Sequence, residues 1–256
     1  MQIGLIGCGN MARALARGWG RPVLCADPVA SRAQALVGEL GGEALAGNVE
    51  VAARADLVVL CHKPAQLEDV ARELGPHARA VASILAATPL ARLREAYPER
   101  PVYRFMPSLP VEVRQGAVVK AAPGDAGDDS TGELDAEVTA LFAELGTLVE
   151  LPEGMIEAAT GLMSCGPAYV ALVAEAQVDA GVRRGIPAAE GARLVVQTMA
   201  GTAELLRSRG YDTLAIRREV SSPGGLTARG VDALERGGLR AAFSNALDAV
   251  LDGDRG

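Results

Sequence analysis

Lysine and histidine are scarce in this 256-residue chain: it has only Lys63, Lys120, His62 and His77. Its positive charge is almost all arginine, and the formal net charge is −7. A phosphate backbone demands a basic face, so nucleic acid is excluded as the main partner. The four cysteines, Cys8, Cys25, Cys61 and Cys165, form no C-x-x-C pair, and neither histidine has a Cys or a second His at ligand spacing. No metal site is expected, and the thiols read as reduced, mostly buried small hydrophobes. There is no G-x-S-x-G, which sets a serine hydrolase aside. No apolar run approaches the ~20 residues of a membrane span. The most apolar stretch, 158–173, is broken by Gly161, Gly166 and Pro167 and reads as buried helix. The opening residues carry neither the basic flank nor the cleavage site of a signal peptide. A cytoplasmic protein with no membrane partner is the expectation.

Over the first 150 residues, short β-branched or apolar runs alternate with Ala/Leu/Arg-rich helical stretches. The runs predict strands at 2–6, 22–26, 57–61, 80–84, 102–105, 117–120 and 147–150. The stretches between them predict helices at 10–19, 31–40, 65–74 and 132–145. Such alternation builds βαβ units, a mostly parallel sheet and, with right-handed crossovers, a doubly wound layer. Residues 122–130 read as a turn-rich surface loop. A domain boundary is expected at Leu151-Pro152-Glu153-Gly154, giving a dinucleotide-binding domain over 1–151 and a helical domain over 152–256. Helices are expected there at 167–182, 188–208, 213–219, from Pro223 onward and at 239–251. About 100 all-helical residues so rich in alanine make a marginal core, which helices from a second copy would complete.

Gly7-Cys8-Gly9-Asn10-Met11-Ala12 follows the first strand and opens the first helix. There Gly7 permits a tight turn, Gly9 lets the backbone approach a pyrophosphate, and Ala12 lets helix and sheet pack closely. The N-terminus of the helix, at Asn10 and Met11, then faces the negative charge. Asp27 lies twenty positions after Gly7, where an acidic side chain binds a ribose diol and favours NADH. Ser31 and Arg32 follow and offer a 2′-phosphate of NADPH a place, so the lean to NADH is slight. Lys63 and Pro64 close the strand at 57–61, at the end where such folds bind ligands. Late in the chain, Ser222-Pro223-Gly224-Gly225-Leu226-Thr227 opens a helix with N–H groups and two hydroxyls free, a receptor for a small carboxylate. A plain Ser-capped helix start with Pro at its first position fits the same residues.

In order along nearly the whole chain, these motifs resemble the pyrroline-5-carboxylate reductase family. The resemblance rests on Ile6-Gly7-Cys8-Gly9-Asn10-Met11, Lys63-Pro64, Arg104-Phe105-Met106-Pro107-Ser108-Leu109-Pro110, Thr160-Gly161-Leu162, Gly166-Pro167-Ala168-Tyr169 and the Ser222–Thr227 segment. Leu234-Glu235 and Gly238-Leu239-Arg240-Ala241-Ala242 complete it. It implies a Rossmann-like doubly wound α/β sheet followed by an all-α C-terminal dimerisation domain. It also implies NAD(P)H-dependent reduction of 1-pyrroline-5-carboxylate to L-proline by a homodimer or larger assembly. By the same resemblance Thr227 partners the imine nitrogen. Ser222 and the N–H groups of Gly224, Gly225 and Leu226 hold the substrate carboxylate, with Gly166 in the substrate site and Ser108 beside the cofactor.

The chain departs from the family at three places. Ser108-Leu109 stands for Asn-Thr, Met163-Ser164-Cys165 for Ser-Gly-Ser, and Ala87 for Gly. These departures motivate one alternative, a related reductase for another cyclic imine or imino acid. A second is a non-catalytic NAD(P)-binding sensor, against which Ser222, Gly224, Gly225 and Thr227 all stand. A β-hydroxyacid dehydrogenase, which the family plan also resembles, is excluded because no lysine follows Lys120.

Overall fold

The computed structural model describes residues 1–122 and 132–253, so the predicted loop at 122–130 lies, beyond Ala122, outside the described residues. The chain divides into two compact units, Met1–Pro167 and Ala168–Gly256.

The first unit is a sheet with helices. In chain order it contains β1 (Ile3–Ile6), α1 (Asn10–Trp19), β2 (Val23–Ala26), α2 (Ala30–Leu40), β3 (Gly42–Ala44), α3 (Asn48–Arg54), β4 (Leu57–Leu60) and α4 (Leu67–Leu74). Then come β5 (Val81–Ser83), α5 (Leu90–Ala96), β6 (Val102–Pro107), β7 (Gly116–Ala121), α6 (Glu133–Ala143), β8 (Gly146–Leu151) and α7 (Ile156–Met163). The strands lie in the order β3-β2-β1-β4-β5-β6-β7-β8, parallel throughout except for the antiparallel β6–β7 pair. This is a Rossmann-like doubly wound sheet, and its strand order reverses between β1 and β4, the place where such sheets bind ligands.

β1, β2 and β4 are buried along their whole length. That accounts for unbroken runs such as Leu57-Val58-Val59-Leu60, since a parallel sheet covered on both faces has no polar side. Three of the eight aromatic residues meet where α1 and α6 pack against β6. Phe105 stacks on Phe142 with ring centres 3.8 Å apart, and Trp19 meets Phe142 edge-on at 5.5 Å. Trp19 Nε1 donates to the Leu141 carbonyl at 2.9 Å, satisfying the buried indole.

Buried arginine and lysine tie the far half of the sheet together. Arg104, on β6, is 2% exposed and donates to Glu153 and Glu157 at 2.5 Å each. Glu153 also accepts from the Leu90 backbone at the start of α5. Lys120, on β7, donates to Asp135 at 2.6 Å and Thr139 at 2.9 Å. The two cations are almost fully buried, while their carboxylate partners keep a quarter to a half of their side-chain surface exposed.

The second unit is helical. α8 (Gly166–Val182) opens at the junction, followed by α9 (Ala188–Ser208), α10 (Thr213–Glu219), α11 (Leu226–Arg236) and α12 (Leu239–Gly253). Two expectations need correction here. The stretch 158–173 is parts of two helices, α7 and α8, and no residue of α8 is buried within the single chain. The helix expected from Pro223 starts three residues later, because Pro223 belongs to a turn. Among the described residues of this unit, only Gly191 and Ile216 are buried. Leu172, Leu194, Val196 and Leu234 are all more than half exposed. By length and apolar composition alone, residues Glu153–Val182 would also suffice to cross a membrane.

Glycine's missing side chain has opposite consequences at two helical positions of the first unit. A Cβ on Gly18, in α1, would lie 2.2 Å from the Val111 carbonyl oxygen, whereas one on Gly38, in α2, would meet nothing within 4 Å. Gly18→Ala is therefore expected to lower stability by about 1–3 kcal/mol through overpacking. Gly38→Ala should raise it by roughly 0.5–1 kcal/mol through helix propensity. Urea unfolding of the two variants checks both signs.

Candidate active site

The crevice at the strand-order reversal is built by Gly7. Its φ of +94° lies in the left-handed region, and a Cβ there would sit 2.9 Å from the Cys61 carbonyl oxygen and 3.1 Å from the His62 nitrogen. Glycine is thus demanded twice, by conformation and by contact with the end of β4. Gly9 differs, since a Cβ at that position meets nothing within 4 Å. The fold tolerates a side chain there, so the bare backbone serves whatever occupies the space in front of it. Gly9 is the N-cap of α1, which has no side-chain cap and no acidic residue in its first turn. Asn10 is exposed and Met11 half-buried at this end, while Ala12 is 1% exposed against the sheet. Free N–H groups, a positive dipole end and open space suit a pyrophosphate.

Asp27 is built into this loop. One carboxylate oxygen accepts from the Cys8 backbone N–H and the other from that of Val29, both at 2.8 Å. Arg32 lies 4.0 Å away, its side chain 61% exposed against 6% for Asp27, and Ser31 is exposed beside it. Asp27 thereby fixes the glycine loop at the end of β2, with lone pairs left for another donor. Beneath the loop, hydrogen bonding to Cys25 and burial push the Cys8 thiol pKa up. Burial does the same to Cys61. All four cysteines are free.

Past β4, Lys63 is exposed and Pro64 begins a 3-10 turn, Pro64–Gln66. The Lys63 backbone N–H donates to the Gln66 side chain at 3.2 Å, which ties the loop to the turn that follows it. His62 is not among the predicted site residues, yet its backbone nitrogen, with the Cys61 carbonyl, is what a Cβ on Gly7 would meet. After β5, Ala87 adopts φ +49°, the conformation glycine would adopt freely, at a cost of about 1–2 kcal/mol.

Ser108 is only 3% exposed and faces the sheet. Its hydroxyl accepts from the Ala117 N–H at 2.9 Å, and its own N–H donates to the Ala117 carbonyl at 2.9 Å. Here it holds the end of β6 to β7, which leaves its hydroxyl a proton and one lone pair to offer elsewhere. The neighbouring Pro107 carbonyl accepts from Ser164 Oγ at 3.2 Å. This bond brings the segments around 107 and 164 together, just ahead of Gly166, where a Cβ would meet nothing within 4 Å. Ser164 was visible in the sequence only as a departure from the family pattern.

The carboxylate-receptor candidate lies in the helical unit. The Gly225 N–H donates to the Ser222 carbonyl at 2.9 Å, and Gly224 has φ +71°. With Pro223 second and Gly224 third, residues 222–225 form a type II turn. Gly225, not Ser222, is the N-cap of α11, which has no side-chain cap and no acid in its first turn. A Cβ on Gly225 would come within 2.4 Å of Ser222 Oγ. The expected donor set changes accordingly, because the Gly225 N–H is spent inside the turn. The helical N–H groups of Leu226, Thr227 and Ala228 take its place, with Ser222 and Thr227 both exposed.

Residues 153–255 match the family described as pyrroline-5-carboxylate reductase dimerisation. Residues 2–87 match the one described as NADP oxidoreductase, coenzyme F420-dependent. A pyrroline-5-carboxylate reductase of Synechocystis sp. is 36% identical over 98% of this chain and 96% of its own. One from Thermus thermophilus is 35% identical over the same shares. Among solved structures, 1-pyrroline-5-carboxylate reductase from Streptococcus pyogenes superposes with a TM-score of 0.87 at 28% identity, covering 99% of this chain and 98% of that one. The Plasmodium falciparum pyrroline carboxylate reductase, solved with NADP bound, gives 0.86 at 25%, covering 99% and 97%.

The two loop glycines separate fold from ligand. Gly7→Ala is expected to cost about 1–3 kcal/mol of stability before any ligand is added. Gly9→Ala should unfold within about 0.5 kcal/mol of wild type yet bind a dinucleotide at least about tenfold more weakly, ~1.4 kcal/mol. Urea unfolding beside NADH titration distinguishes the two effects.

Proposed function

The chain belongs to the pyrroline-5-carboxylate reductase family, and from that membership we propose that it reduces 1-pyrroline-5-carboxylate to L-proline with a nicotinamide dinucleotide. The observation that carries the reading is a pair of helix starts with the same character in one chain. α1 opens from Gly9 and α11 from Gly225, each without a side-chain cap or an acid in its first turn. One suits a diphosphate and the other a small carboxylate. By contrast, α6 also opens from a glycine, Gly132, but carries Glu133 and Asp135 in its first turn.

Reducing a C=N bond takes a hydride at carbon and a proton on nitrogen, and a reduced nicotinamide, when bound, supplies the hydride. The chain's own work is binding and orientation. Gly7, Gly9, Asn10, Met11 and Ala12 form the diphosphate cradle, with Lys63, Pro64 and Ser108 at the neighbouring strand ends. The N–H groups at the start of α11 and the Ser222 hydroxyl hold the carboxylate, with Gly224 and Gly225 giving it room. Thr227, at the second position of α11, offers its hydroxyl to the imine nitrogen.

Asp27 and Arg32 divide the choice of cofactor. Arg32 is drawn toward a carboxylate that already serves two backbone N–H groups. A negative charge fixed at the end of β2 opposes a 2′-phosphate, so we place NADH slightly ahead of NADPH. The second reading, a related cyclic imine as substrate, draws on Ser108, whose hydroxyl is bound to Ala117 where the family carries an amide.

The apolar face of α8 and α9 meets a second copy of the chain in this reading. A unit with two buried residues holds together once another copy covers it, and residues 153–255 match a dimerisation family. We therefore propose a cytoplasmic homodimer or larger assembly. Analytical ultracentrifugation in detergent-free buffer should give at least twice the 26.3 kDa chain mass. A monomer, or protein soluble only in detergent, would overturn this arrangement.

Steady-state oxidation of NADH and NADPH with 1-pyrroline-5-carboxylate tests the reaction itself. Thr227→Ala should lower kcat/KM by about 10²-fold, the lower end for a positioned proton donor. Arg32→Ala should raise KM for NADPH more than KM for NADH. No turnover with this imine, but turnover with another cyclic imino acid, would favour the second reading.

A further inference from the structure

His62 occupies the crevice yet has no part in the binding scheme above. Its backbone nitrogen lies so close to Gly7 that a Cβ on that glycine would be 3.1 Å away. Its neighbour Cys61 donates to the Ile6 carbonyl at 2.9 Å. The residue therefore stands just beyond the C-terminal ends of β1 and β4, at the reversal of strand order.

The imidazole is held in one tautomer. Nδ1 is 2.9 Å from the Lys63 carbonyl oxygen, which can only accept, so Nδ1 carries the hydrogen and donates it. Nε2 is then an acceptor. It is buried and has no hydrogen-bond partner. Burial also lowers the pKa of the ring, against the opposing pull of the Lys63 carbonyl, and so favours the neutral form with its lone pair available. A buried acceptor without a donor is uncommon in folded proteins and calls for an explanation.

The topology narrows which donor suits it. Asp27 ends β2, on one side of β1, and marks the adenosine side of a dinucleotide. Gly9 and the start of α1 mark the diphosphate, which has acceptors only. β4 lies on the other side of β1, so the remaining half of the cofactor falls toward His62. That half carries a ribose with free hydroxyl groups.

We propose that His62 is a cofactor-positioning residue, whose Nε2 accepts a hydrogen bond from a hydroxyl of the nicotinamide-side ribose. The assignment rests on the reading of the first unit as a dinucleotide site. It adds a side-chain contact on the hydride-bearing half, where the other named contacts hold the diphosphate and adenosine.

Three nucleotides separate this contact from a general disturbance of the loop. ADP lacks the second ribose, ADP-ribose has it without the nicotinamide, and NADH has both. Their affinities are measured by calorimetry on wild type, His62→Leu and His62→Gln. The Leu variant should bind ADP within twofold of wild type and both ADP-ribose and NADH about tenfold more weakly. The Gln variant, which restores an acceptor, should recover part of that loss. Equal losses for all three nucleotides would mean that His62 only supports the loop, and no loss would mean that Nε2 meets no ligand. Loss for NADH alone would assign the contact to the carboxamide, and each of these results overturns the proposal. Because the readout is binding, a failure to reduce pyrroline carboxylate would count against the proposed reaction and not against this contact.

Discussion

The nucleotide half of this protein depends on how closely β1 and β4 approach just beyond their paired residues. Gly7 permits that approach by lacking a side chain and by turning into the left-handed region. From this one turn the chain gains the direction of α1, the packing of Ala12 on the sheet, and a crevice floored by backbone. Asp27 then holds the loop from the far side by accepting from Cys8 and Val29. A carboxylate anchored to two backbone amides is a brace, so a change at Asp27 alters the geometry of the loop as well.

The two units differ in how they are held together. The first has continuous apolar cores on the faces of its sheet, sealed at the far end by the ion network around Arg104. The helical unit buries almost nothing of its own.

Much of the architecture was legible in the sequence, because a parallel sheet buried on both faces leaves uninterrupted apolar strands. β1, β2 and β4 are visible in that way. β3 is not, since it is three residues long and begins at Gly42, where a Cβ would come within 2.0 Å of the Val23 carbonyl. Short α3 and α5 bury only two residues each and leave too little periodicity to detect. At the site, residue types could be read but not their hydrogen bonds. Nothing in Pro223-Gly224-Gly225 says that the Gly225 N–H closes a turn, or that the Ser108 hydroxyl turns toward Ala117. The contact between His62 and Gly7 joins residues more than fifty positions apart and exists only once the strands pair.

The scarcity of lysine acquires a chemical meaning once the two side chains are placed. Lys120 is enclosed by Asp135, Thr139 and Glu150, while Lys63 is exposed at the rim of the crevice. In the folded chain, then, a reagent that acylates amines finds one of the two lysine side chains open to it. That lysine is a natural handle for attaching a fluorophore or a surface linker, and it stands just past the C-terminal end of β4.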